Sequence, residues 1–124
     1  MLAIHNTLND PQGRWILSQT HQEARNEYAI TVLMEDQPIH YIIDRTFIHE
    51  GVRWIIDYKA ALPTNQPLPM FIEQQQYLYS EQLHHYAHAF LRIENRPVKL
   101  GLYFPLCSAW CECAFSQEGA MTAS

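Results

Sequence analysis

The residues of this chain best suited to chemistry are two acids and a lysine: Asp44 in the run Ile42-Ile-Asp-Arg45, and Asp57 with Lys59 in Ile55-Ile-Asp-Tyr-Lys59. Both runs are rich in β-branched residues and read as strands, and Glu50-Gly51 between them has the X-Gly form of a tight type I′ turn. A two-residue loop there fixes the pairing, so that counting back along both strands brings Asp44 opposite Asp57. Opposed residues have Cβ atoms about 5 Å apart, and side chains two apart on a strand share a face, which adds Lys59 to the pair. Paired carboxylates on an apolar sheet repel one another and are poorly solvated unless a cation sits between them. A hard divalent ion such as Mg²⁺ meets that demand. Asp-x-Lys alone is a common pattern, and an Asp–Lys pair can be an ordinary salt bridge at a strand end. What raises this constellation above that reading is the placement of all three charges inside predicted central strands, where charge is least expected. Glu27, in Asn26-Glu-Tyr-Ala-Ile30, is a third acid at the start of the preceding strand.

Other groups carry weaker signals. Cys107, Cys111 and Cys113 crowd into one stretch, which makes no disulfide framework and suits a reducing compartment. Their spacing could supply metal ligands but lacks a fourth partner at a standard distance in sequence. His84, His85 and His88 cluster on a predicted helix, a pattern that usually means a solvated face. With 8 basic and 13 acidic residues the net charge is -5, so simple phosphate neutralisation by a basic surface is disfavoured.

The elements that must hold these residues follow from the patterning. A length of 124 residues with 48% apolar content fits one domain, 1–124, with a buried core. Tyr28 to Met34, Pro38 to His49 and Val52 to Ala60 predict three strands in a meander, separated by Glu35-Asp-Gln37 and Glu50-Gly51. Leu62 to Met70 holds several prolines and predicts an irregular loop. Tyr79, Leu83, Tyr86, Ala87 and Phe90 mark the apolar stripe of a helix running from near Pro69 to near Asn95. Val98 to Leu106 predicts a further strand, behind which residues 114–124 read as a frayed tail, and the segment before Tyr28 is short and poorly defined. The order β-β-β-α-β implies an α/β fold: a small mixed sheet with helical cover. No apolar run approaches a membrane span and the N-terminus lacks a signal peptide, so a cytoplasmic protein is expected.

Taken together, Ile43-Asp-Arg-Thr-Phe47, Arg53-Trp-Ile-Ile-Asp-Tyr-Lys59, Glu81-Gln-Leu-His-His-Tyr-Ala87 and Leu100-Gly-Leu-Tyr-Phe-Pro105 resemble the RecB-type nuclease domain of the PD-(D/E)XK superfamily. That domain lies at the C-terminus of RecB/AddA-like helicases of the UvrD/Rep type, and the resemblance runs from about Asp10 to Trp110. It implies a restriction-endonuclease-like sheet in a C-terminal piece of a larger helicase-nuclease. It assigns Asp44 to the first acid, Asp57 and Lys59 to the (D/E)-x-K motif, Gln82 and Tyr86 to the Q-x-x-x-Y motif, and Glu27 to the upstream glutamate. Two departures stand out. Nothing upstream of Glu27 supplies the family's helix with a metal-binding His, and Ala60-Ala61 replaces the Thr or Ser that commonly follows the lysine.

The implied activity is exonucleolytic hydrolysis of DNA phosphodiesters in repair and recombination. Mg²⁺, with Mn²⁺ as a substitute, would be held by Asp44, Asp57 and the Tyr58 carbonyl; Lys59 would orient the attacking water, while Gln82 and Tyr86 would brace the site or touch DNA. The implied partners are single-stranded DNA, a helicase region of the same polypeptide and an AddB/RecC-like subunit, with no membrane. The competing expectation is a nuclease-like module that binds DNA or docks to protein without cleaving.

Overall fold

The protein is described here by a computed structural model covering residues 10–115. In chain order it comprises helix α1 (Pro11–Leu17), strands β1 (Gln22–Met34), β2 (Gln37–His49) and β3 (Val52–Tyr58), helix α2 (Leu68–Ile93), and strands β4 (Val98–Phe104) and β5 (Ala109–Cys113). The strands form one mixed sheet of five in the order β1-β2-β3-β4-β5. All neighbours are antiparallel except β3 and β4, which run parallel because α2 carries the chain back between them. The fold is therefore α/β, as the patterning implies, with two elements the sequence reading omitted.

The first omission is α1. Its start is written in the residues: Asp10 caps it, accepting from Gly13 N–H at 3.1 Å, and Pro11 occupies the first turn, where its missing N–H is not needed. The second is β5, whose alternating Ala109, Cys111 and Cys113 are buried and pair with Phe104, Leu102 and Leu100. β1 also starts earlier than expected, at Gln22 rather than Tyr28. Polar Gln22 to Glu27 have little strand propensity, and Glu23 and Glu27 take left-handed backbone angles of 50° and 47° that interrupt the pleat. Of the expected tail, Ala114 and Phe115 are irregular, and residues 116–124 lie outside the described residues.

Both hairpin tips are tight. Glu35 and Asp36 both have positive φ, as do Glu50 and Gly51, the signature of type I′ turns whose twist matches that of paired strands. The second tip sets the register read from sequence: His49 faces Val52, Phe47 faces Trp54 and Arg45 faces Ile56.

Each sheet face buries its own apolar cluster. The α2 side holds Ile30, Ile43, Ile55, Leu83, Phe90, Leu100 and Leu102; the α1 side holds Ile16, Phe47, Trp54, Ile56 and Tyr103. One strand serves both. Residues two apart on a pleated strand share a face, yet Ile43 packs beneath α2 whereas Phe47 packs with α1, and the Arg45 guanidinium reaches the Ile16 and Ser18 carbonyls at 2.9 Å on the α1 side. The alternation of β2 thus breaks at Asp44. Glu27, with its left-handed backbone, lies level with that break between the pairs Asn26–Arg45 and Tyr28–Ile43.

The C-terminus of α2 is tied to the start of β3 by a buried ion pair. Arg53 Nε donates to Glu94 Oε1 at 2.6 Å and Arg53 Nη2 donates to Glu94 Oε2 at 3.1 Å, with the guanidinium 4.9 Å over the Phe90 ring. The Arg53 guanidinium holds the Glu94 carboxyl below its ordinary range. Lysine keeps the charge but cannot form the two-pronged contact, so Arg53→Lys is expected to lose about 2 kcal/mol of stability at neutral pH. Because the Glu94 pKa is depressed, that difference should be complete above the normal carboxylate range and shrink as acid protonates Glu94. Urea unfolding at two pH values measures it; equal stability of the two proteins would show that the fork contributes nothing.

Candidate active site at the end of the central strands

Strand β3 ends at the site, and β2 passes it in mid-strand. Asp57 is the penultimate residue of β3, and only 5% of it is exposed. Continuing the register past Arg45–Ile56 sets Asp44 beside it, and the contacts agree: Asp44 Oδ2 accepts the Tyr58 N–H at 2.9 Å. Lys59 follows immediately, its backbone N–H bonded to the Tyr103 carbonyl at 2.9 Å, which anchors the strand end to β4. Its ammonium lies 2.8 Å from Asp57 Oδ2 and 3.8 Å over the Tyr79 ring of α2.

The electrostatics reflect this crowding. Asp57 is pushed up to about 7, first by burial and then by the Asp44 carboxyl, which is close enough to share its proton; the Lys59 ammonium opposes both. Asp57 Oδ2 is fully buried and is met by the Lys59 ammonium 2.8 Å away.

Tyr58 contributes through its backbone. Since the Tyr103 carbonyl is taken by Lys59 N–H, Tyr58 turns its own polar groups the other way: its N–H meets Asp44 on the β2 side, and its carbonyl faces that side too. From α2, Gln82 Nε2 donates to the Tyr86 hydroxyl at 2.8 Å across one helical turn. Tyr86 is raised above the ordinary tyrosine range, mainly by burial and next by the negative charge of Asp57.

Of the residues singled out by sequence, Asp44, Asp57 and Lys59 come together around the Tyr58 backbone, while Gln82 and Tyr86 bond each other on α2 and line a cleft with Tyr79, the ring that carries the Lys59 ammonium. Glu27 is level with Asp44 but exposed. The nearest upstream histidine, His21, stacks on Phe47 at 4.0 Å and bonds the Trp15 carbonyl, which places it on the α1 face, away from the acids. The Ala60-Ala61 pair follows β3 without hydroxyls to offer. All three cysteines are free, and Cys111 Sγ stands 4.0 Å from Cys113 Sγ with the Gln76 amide against it. His84 and His88 meet Phe115 rather than each other's ligand field. Among the described residues no group of three or more His, Cys, Asp or Glu side chains is placed to hold a metal ion.

One residue of the neighbourhood escaped the sequence reading. Tyr41 of β2 packs edge-on against Tyr86 at 5.4 Å and lines a cleft between that strand and α2. Its signal was the alternation Ile39, Tyr41, Ile43 on one face, which reads equally well as core.

No protein-family model matches the chain, and no curated protein matches it. Among the described residues no helix is long and apolar enough to cross a membrane.

Proposed function

We propose that the chain is a divalent-ion-dependent deoxyribonuclease domain with a restriction-endonuclease-like sheet, related to the RecB-type nucleases of helicase-nucleases. The observation that carries the reading is the convergence of Asp44, Asp57 and Lys59 beside the end of β3, where two neighbouring acids face one ammonium and Asp57 is pushed up to about 7. Two carboxylates against a single ammonium leave negative charge that a further cation would relieve.

The donor set fits a hard ion. Asp44 and Asp57 offer carboxylate oxygens and Tyr58 a carbonyl that faces their side. Mg²⁺ keeps several waters and is commonly bound by one or two carboxylates plus substrate phosphates, so the lack of a third acidic or imidazole ligand among the described residues suits it better than it suits zinc. When bound, Mg²⁺ or Mn²⁺ supplies polarisation of the scissile phosphate and acidification of a water.

The protein's own groups do the rest. Lys59, pinned by its backbone bond to β4, orients a water near Asp57 and stabilises negative charge as it grows on the phosphoryl oxygens. Asp44 accepts from Tyr58 N–H, which fixes its rotamer and sets the separation of the two acids. Gln82 and Tyr86 brace α2 over them. On this reading the substrate is DNA, preferably single-stranded, and the partners are a helicase region and an AddB/RecC-like subunit that deliver the strand.

The test is a gel assay on end-labelled single-stranded DNA at low ionic strength with Mg²⁺ or Mn²⁺, run beside calorimetric titration of the ion. Cleavage that needs the ion and disappears in Asp44→Asn is expected. No cleavage and no ion binding under any of these conditions would overturn the reading in favour of a module that only binds or docks.

A further inference from the structure

The cleft between β2 and α2 measures about 410 Å³, within the roughly 300–1,000 Å³ common to small-ligand sites. Three tyrosines line it, Tyr41 from the sheet with Tyr79 and Tyr86 from the helix, beside Leu78. Gln82, Glu81 and His85 add polar groups. One side of the Tyr79 ring carries the Lys59 ammonium, and Tyr86 both lines the cleft and feels the charges of Asp57 and Asp44. The cleft and the acid pair are thus joined through two shared tyrosines. A ligand filling both must present a flat ring to the tyrosines and an anionic group to Lys59, and an unstacked nucleotide has that form. Duplex DNA keeps its bases stacked and paired inside, so only a strand with a splayed base can enter.

We propose that this cleft is a nucleobase-stacking site, in which Tyr41 and His85 hold one base of a DNA strand next to the phosphate handled by Lys59, and that it selects single strands. The proposal rests on the phosphodiesterase reading for its choice of ligand. Its test does not depend on cleavage.

Fluorescence anisotropy on an Asp57→Asn background, at low salt and without divalent ions, compares a labelled ten-nucleotide thymidine strand with an abasic strand of equal length. Stacking of a base on an aromatic side chain is worth about 1–3 kcal/mol, so the thymidine strand should bind about 5- to 150-fold more tightly. Tyr41→Leu should remove most of that ratio and leave abasic affinity unchanged, while Tyr41→Trp preserves it. His85 is exposed and its removal does not threaten folding, so His85→Ala provides the second reduction should Tyr41→Leu not fold. Equal affinity for the two strands, or a ratio indifferent to both substitutions, would overturn the stacking site. Base discrimination by a protein that never cleaves would instead retain the stacking site and remove the nuclease reading, so the two failures are distinct.

Discussion

Lys59→Ala is expected to slow ion-dependent cleavage of single-stranded DNA by about two to three orders of magnitude, the usual loss when one preorganised transition-state donor is removed. The side chain makes two contacts, with Asp57 at 2.8 Å and the Tyr79 ring at 3.8 Å, and neither anchors the fold. The structural tie at this position is the backbone bond to Tyr103, which alanine retains. The loss should therefore fall chiefly on rate, with a cost in stability confined to the Asp57 charge that the ammonium no longer offsets, so rates are compared at a temperature where both proteins are folded. Arginine should not rescue, because its planar fork cannot occupy the place of a compact ammonium wedged between a carboxylate and an aromatic ring. Initial rates at saturating Mn²⁺ decide the matter: a Lys59→Ala protein that binds Mn²⁺ normally and cleaves within a few-fold of the parent would deny Lys59 its role.

The second large effect concerns stability. In the folded protein Asp57 holds its proton up to about 7, whereas in the unfolded chain it releases it near the ordinary aspartate value of about 4. Between those two pH values the unfolded state binds fewer protons than the folded one, so metal-free stability falls as pH rises through the window and levels off above it. At about 1.4 kcal/mol per unit the upper limit of the loss is roughly 4 kcal/mol, with the opposing effect of the Lys59 ammonium already contained in the shift. Asp57→Asn has no proton to lose. It should match the parent near pH 4 and exceed it by a few kcal/mol at pH 8, a gain of roughly 5–15 °C in melting temperature. Thermal melts in chelator across that range measure it, and parallel pH profiles would mean that the acid pair does not share its proton.

What the sequence discloses about this fold depends on how local the cause is. The Glu50-Gly51 tip needs only two residues to dictate its geometry, and from it the juxtaposition of Asp44, Asp57 and Lys59 follows by counting. Helix α2 is equally legible, because its stripe of Leu83, Tyr86, Ala87 and Phe90 repeats over several turns. By contrast α1 is a helix of 7 residues whose only local marks are Asp10 and Pro11; it persists because Ile16 is buried against Phe47 and Trp54, which lie far off in sequence. The cysteines of β5 carry no clear signal when considered one by one, and make a strand only once β4 is there to pair with. The break in β2 was illegible for the same kind of reason. Nothing in Ile43-Asp-Arg45 announces that Ile43 and Arg45 will part to opposite faces; the demand comes from two separate cores.

That break sets where the chain can change length. A pleated strand tolerates insertions at its turns, and the β1–β2 tip at Glu35-Asp36 can lengthen while every cross-strand partner beyond it stays in place. Between Ile43 and Arg45 the situation is reversed. Removing Asp44 would leave Ile43 and Arg45 on their opposite faces by ordinary alternation, but it would delete one acid of the pair and slide β2 by one residue against β1, so that Asn26–Arg45 and Tyr28–Ile43 could not both persist. Adding one would displace Asp44 from Asp57. Descendants of this chain can therefore vary freely in the reach of their hairpin, while the residue count across Asp44 is held fixed by two neighbours at once, β1 on one edge of the strand and the acid of β3 on the other.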